Sequence, residues 1–144
     1  VSSFVYRARK PFDPQKIHDV LNAPLPGVIR AKGHFWVATR PDWLAEFSLA
    51  GALSSIKPMG IWWASVPPER RSSHPEAVAY RQRHWQEPWG DRRQDLVFIG
   101  AGMDRDVITA LLDNALVAED GFEPARWQAL KDPFPEWRRA REAA

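Results

Sequence analysis

The chain has 144 residues, 44% of them hydrophobic, a formal net charge of +2 and no cysteine. That length and apolar content suit a single globular domain with a sizeable core, and the small net charge gives no general pull on polyanions. The missing cysteines exclude disulfides, thiolate metal sites and cysteine nucleophiles; with no run of 18 apolar residues and no leader-like pattern in VSSFVYRARK, the expected setting is a reducing cytoplasm without membrane partners.

Ser2 to Ala8 alternates, with Phe4, Tyr6 and Ala8 on one face and Ser3, Val5 and Arg7 on the other, which predicts a strand. In PFDPQKIHDVLNAPLPG, Asp13 is placed to cap a helix with Pro14 at its first position, and Phe12 and Ile17 stand at staple spacing. Ile17, Val20 and Leu21 form the apolar stripe, and Pro24 and Pro26 end the helix. A strand is expected over about Val28 to Ala38, with Ile29, Ala31, Gly33 and Phe35 inward. Its other face carries Val28, Arg30, Lys32, His34 and Trp36.

Leu44 to Ala50 and Leu53 to Lys57 form a predicted hairpin around Gly51-Ala52, and a further short strand is expected over Ile61 to Val66. Ser73 and Glu76 fit a capping box for a helix reaching about Gln86. Leu96 to Ile99 is apolar on both faces, as in a central strand. Asp104 caps the next predicted helix, which extends to Val117 and bears the stripe Val107, Ile108, Leu111, Leu112, Ala115 and Leu116, with Leu111 and Leu112 in its middle. Residues 119–144 are rich in Pro, Trp and Arg and are expected to form an extension with one short helix near Pro124 to Leu130, lying over or fraying from a 1–118 domain.

Hairpins in the middle require antiparallel pairing, and returning helices must lie on a face. The expected fold is an α+β two-layer sandwich, with one mixed, mainly antiparallel sheet and helices on one side. The other side is expected to be open, or covered by something outside this chain.

Catalytic motifs are scarce. His18, His34, His74 and His84 lack i, i+4 partners, and HExxH and GxSxG are absent. Gly100-Ala101-Gly102 lacks the rest of a phosphate-loop pattern, and Asp104 and Asp106 stand where a phosphate would sit. The pairs Asp104/Asp106 and Glu119/Asp120 read as capping or solvated charge. The eight tryptophans serve either core packing or base stacking, and packing is the commoner use. Arg30, Lys32, His34 and Trp36, with Arg92 and Arg93, form a candidate interaction face; a solvated, self-paired charge face is the alternative, and Glu46 is placed to neutralise one of Arg30, Lys32, Arg92 and Arg93 across the sheet.

Four blocks in order, FVYRARKPFDP, PLPGVIRAKGHFWVATRP, EPWGDRRQDLVFIGAGMD and LLDNALVAED, resemble the C-terminal domain of CobW-type GTPases over nearly the whole chain. The resemblance implies a preceding P-loop GTPase domain and a role in handling zinc, cobalt or another metal, including delivery to clients. It places GTP, magnesium and a transition metal on that GTPase domain, because its Walker and Cys-rich motifs are absent here; no cofactor, metal or catalytic residue is expected in this chain. It also implies an excised or truncated C-terminal half. The basic face is then expected to meet the GTPase domain or a metalloprotein client. The competing class is a small Arg- and Trp-based nucleic-acid-binding module, marked by salt-sensitive binding to single strands.

Overall fold

The computed structural model describes residues 1–138. Strand β1 (Ser2–Ala8) buries Phe4 and Tyr6 and turns Ser3, Val5 and Arg7 outward, in the phase its alternation predicts. Helix α1 (Pro14–Asn22) starts at Asp13, whose Oδ1 accepts from the amides of Gln15 at 3.0 Å and Lys16 at 3.2 Å. Phe12 and Ile17 are both fully buried in one core, as a staple requires.

Strand β2 (Val28–Phe35) contains a bulge: Val28 lies opposite Gly100 of the neighbouring strand, and Arg30 lies opposite Ile99. Ile29 is the extra residue and is 49% exposed, whereas Val28 packs on the core. The expected phase is therefore reversed before the bulge and correct after it, because one inserted residue flips every side chain on one side of it.

Strands β3 (Trp43–Ala50) and β4 (Leu53–Ile61) form the expected hairpin. Gly51 has φ +62°, and Ala52 keeps a negative φ, the pattern of a type II′ turn. β4 runs through Pro58 rather than stopping at Lys57. It is an edge strand, where a missing N–H costs no ladder bond. No separate strand covers Ile61 to Val66: Trp63–Ser65 and Pro68–Arg70 are 3₁₀ turns.

Helix α2 (Pro75–His84) is capped by His74, not Ser73: its Nδ1 accepts from Glu76 N at 3.2 Å, with Pro75 at the first helical position. β5 (Gln94–Gly100) lies between β1 and β2. Helix α3 (Arg105–Ala115) begins at Asp104, whose Oδ1 accepts from Val107 N. Helix α4 (Pro124–Trp127) is a single turn.

The sheet order is β1-β5-β2-β3-β4, and every pairing is antiparallel. The mixed sheet expected from the sequence is thus uniform. Among the described residues, the one parallel contact is the isolated bridge between Phe12 and Val37. Glycine permits a close crossing at one end: a Cβ on Gly100 would stand 1.9 Å from the carbonyl oxygen of Gly27, which takes the Ala101 amide bond at 3.0 Å. That crossing gives the Gly100-Ala101-Gly102 turn a structural use.

α1 and α3 cover one face of the sheet. Phe4, Tyr6, Phe35, Phe47, Leu96 and Phe98 meet Ile17, Leu21, Ile108 and Leu112 there. Leu111 is 39% exposed and Val107 is also exposed, so the α3 stripe is narrower than its sequence suggests. A second cluster joins Trp36, Trp62, Trp89 and Trp127 beside Val117. The chain after residue 119 supplies Trp127 to this cluster and Phe134 and Trp137 to the main core. Arg40 holds that strap: its Nε and Nη2 donate to the two Asp132 carboxylate oxygens, and its guanidinium carbon lies 4.4 Å from the Trp137 ring centre. Among the described residues, no helix is long and apolar enough to cross a membrane.

Candidate interaction surface

Among the described residues, no helix covers the opposite face of the sheet, and pairing register arranges it in three rows. The first row runs Ser3, Ile99, Arg30, Ala50, Leu53. The second runs Val5, Val97, Lys32, Ser48, Ser55, and the third Arg7, Asp95, His34, Glu46, Lys57. The third row neutralises itself. Arg7 lies 3.6 Å from Asp95, and Glu46 lies 4.0 Å from His34 and 3.8 Å from Lys57. Glu46 is therefore committed to His34 and Lys57 and does not offset Arg30 or Lys32, because the antiparallel register sets it directly opposite His34.

Arg30 and Lys32 are exposed and have no carboxylate within 4.0 Å among the described residues. Beside them, Val5 and Ile99 are exposed apolar side chains, and Val97 is half-buried. A hollow of about 350 Å³ lies between Arg30, Lys32, Ser48, Ala50, Val97 and Ile99. Unpaired cations at the edge of an apolar strip form a surface whose free energy falls when a partner covers the strip and offers acidic groups. The apolar half was visible in sequence: Val97 and Ile99 make β5 apolar on both faces, although this chain covers only one.

The six candidate residues do not form one surface. Arg30, Lys32 and His34 share the open face. Trp36 is fully buried: β2 ends at Phe35, and Trp36 then turns into the second core, with its amide donating to Gln94 Oε1 at 2.9 Å and its ring Nε1 to Arg9 O. Arg92 is 7% exposed and donates to Pro41 O, Trp89 O and Ser65 Oγ, with its guanidinium 4.9 Å from the Phe122 ring centre. Burial lowers the Arg92 pKa, against the pull of Asp42 and Asp91. Trp36 and Arg92 thus drop out of the candidate face. They are bound into a core completed by residues far along the chain, beyond the reach of strand alternation. Arg93 is mostly buried as well, donating to Tyr80 Oη at 3.0 Å and to Asp91 O at 3.0 Å.

The tryptophans do not supply a stacking platform on the open face. Trp36, Trp62, Trp89, Trp127 and Trp137 are buried; the half-buried Trp43, Trp63 and Trp85 pack against Trp137, Arg81 and Arg71. Among the described residues, no three His, Asp or Glu side chains gather in a metal-binding group.

Taken together, these features define an α+β sandwich whose described residues leave one sheet surface open. The family described as cobalamin synthesis protein cobW C-terminal domain matches residues 1–116, and the chain belongs to that family. It is 35% identical over 142 residues to zinc-regulated GTPase metalloprotein activator 1 of Dictyostelium discoideum, covering 93% of this chain and 29% of that protein. It is 33% identical over 134 residues to a zinc chaperone of Mycobacterium tuberculosis, covering 92% of this chain and 34% of that protein. The chain therefore spans about a third of the length of these relatives. The fold is also that of part of the zinc-bound YjiA GTPase from E. coli, with a TM-score of 0.54 at 19% identity over 79% of this chain and 29% of that one.

Proposed function

We propose that this chain is the non-catalytic C-terminal domain of a CobW-type, GTP-dependent metallochaperone acting on zinc, and that its open sheet face docks the GTPase domain of the same protein. The observation that carries this reading is the uncovered face itself. Among the described residues, Arg30 and Lys32 lack acidic partners beside the apolar strip of Val5, Val97 and Ile99, while the opposite face is closed by α1 and α3. The relatives support it, since one is named a GTPase metalloprotein activator and another a zinc chaperone, and each is about three times the length matched here. GTP, magnesium and the transported metal then belong to the GTPase domain, and this domain contributes recognition.

The test mixes the 144-residue chain with the separately produced GTPase domain at low and high salt. Arg30→Glu with Lys32→Glu leaves the domain folded, because exposed charges contribute little to stability. It weakens association more than alanine substitution does, because reversal adds repulsion to lost attraction, and the difference shrinks as salt screens the contact. Unchanged affinity in a folded double variant removes this face as the GTPase contact. If a metalloprotein client shows the charge-dependent binding instead, the face is a client surface.

A further inference from the structure

A second basic feature lies beyond the third row, where the end of β1, the start of β5 and the end of α2 meet. A cleft of about 430 Å³ there is lined by Arg7, Arg9, Arg83, His84, Arg93 and Asp95. Arg9 pins α2 to the sheet, its Nη1 donating to His84 O at 2.8 Å and to Gly90 O at 3.1 Å. That bond meets the carbonyl at the negative end of the helix and leaves Arg9 Nε and Nη2 without acceptors among the described residues. Arg93 uses Nη1 for Tyr80 Oη and Asp91 O; its Nε is buried without a hydrogen bond, since Asp95 Oδ2 stands 3.7 Å away. Arg7 and Arg83 are exposed, and Arg83 has no ion pair among the described residues.

Four guanidinium groups thus line the cleft beside one carboxylate, Asp95, while the buried Asp91 carboxylate accepts from the Trp63 and Ala64 amides; even with both counted, two positive charges are in excess among the described residues. The protein registers this crowding. Burial, then the charges of Arg93, Arg83 and Arg9, lower the His84 pKa against the pull of Asp95. Burial, then Arg93, also disfavours the charged form of Arg9. Guanidinium forks match tetrahedral oxyanions through paired N–H donors, and a phosphate monoester carries close to two negative charges at pH 7.

We propose that this cleft is an oxyanion site for a phosphate group, separate from the docking face, with Arg7, Arg9, Arg83 and Arg93 as its donors. The phosphate is either the free ion or the terminal group of a phosphorylated small molecule.

The test is a chemical-shift titration of the ¹⁵N-labelled 144-residue chain with sodium phosphate, and separately with glycerol 3-phosphate, at ionic strength held constant with sodium chloride. Saturating shifts at His84, Arg93 and Asp95 are expected with at least one of the two. Tighter binding of the ester assigns the cleft to a phosphorylated molecule, and tighter binding of the inorganic ion to free phosphate. Arg7→Ala with Arg83→Ala, both solvent-exposed, should keep the spectrum folded and weaken binding roughly tenfold. Arg30→Glu with Lys32→Glu should leave phosphate affinity unchanged, which keeps this site's fate separate from that of the docking face. Shifts that fail to saturate, that chloride alone reproduces, or that survive Arg7→Ala/Arg83→Ala undiminished overturn the proposal.

Discussion

Replacing Arg40 by alanine should loosen the strap formed by the chain after α4. Arg40 grips Asp132 with two bonds of 2.9 and 3.1 Å, donates to Phe134 O at 2.8 Å and Pro135 O at 2.6 Å, and lies over Trp137. Hydrogen bonds to charged groups contribute about 1.5–3 kcal/mol each, and a desolvated cation–π contact about 2 kcal/mol. These contacts share one side chain, so they do not add. The two side chains are only 17% and 18% exposed, so truncation also leaves the Asp132 carboxylate largely buried and unpaired. The expected loss is about 2–4 kcal/mol.

The pH dependence follows from Asp132. Burial raises its pKa, but the bonds from Arg40, Thr39 and the Phe134 amide outweigh that and hold it below the ordinary carboxylate value. A carboxyl depressed in the folded state stabilises fully above its unfolded pKa, near 3.9, and loses that contribution as pH falls through the lower folded value. Urea denaturation of wild type and Arg40→Ala should therefore show a constant gap between about pH 5 and 7, narrowing below about pH 4. A gap under about 1 kcal/mol at neutral pH, or one that does not narrow in acid, would refute the reasoning.

Leu112→Ala should cost about 2–5 kcal/mol by urea denaturation, whereas Leu111→Ala, at a 39% exposed site, should cost about 1 kcal/mol or less. Gly100→Ala drives a Cβ against the Gly27 carbonyl and should cost about 2 kcal/mol or more; Gly121→Ala, which meets nothing within 4 Å, should stay within about 0.5 kcal/mol. Calorimetric titration of the chain with GTP should give no heat of binding at micromolar concentrations, since the sequence carries no Walker lysine or magnesium-binding hydroxyl motif.

Local chemistry was legible where a short stretch decides it. Asp13 and Asp104 were readable as caps, Phe4 and Tyr6 as an inward pair, and Gly51-Ala52 as a hairpin turn. What failed depends on distant residues or on one inserted residue. The bulge at Ile29 has no local signature and inverts the start of β2. The second hairpin strand was expected to end at Lys57, and its run through Pro58 rests on an edge position that cannot be known before the strand order. Trp36 and Arg92 looked like surface residues because the indole of Trp127 and the ring of Phe122, which close over them, arrive about 90 and 30 residues later in the chain. Arg30 and Lys32 were readable as a basic pair on one face, and Val97 and Ile99 as part of a strand apolar on both faces, but their adjacency emerged only when register set Val5, Val97 and Lys32 in one row. The arginine cleft was not legible, since Arg9, Arg83 and Arg93 are joined only by the packing of α2 against the ends of β1 and β5.

The docking claim is tested most directly by mapping the partner's footprint. The ¹⁵N-labelled chain is titrated with unlabelled GTPase domain, and amide shifts and line broadening are followed residue by residue. Docking by the open face predicts that the largest changes fall on Val5, Arg30, Lys32, Val97 and Ile99, with α1 and α3 little affected. Binding whose changes concentrate on Val107 and Leu111 of α3, leaving β2 and β5 untouched, would contradict it.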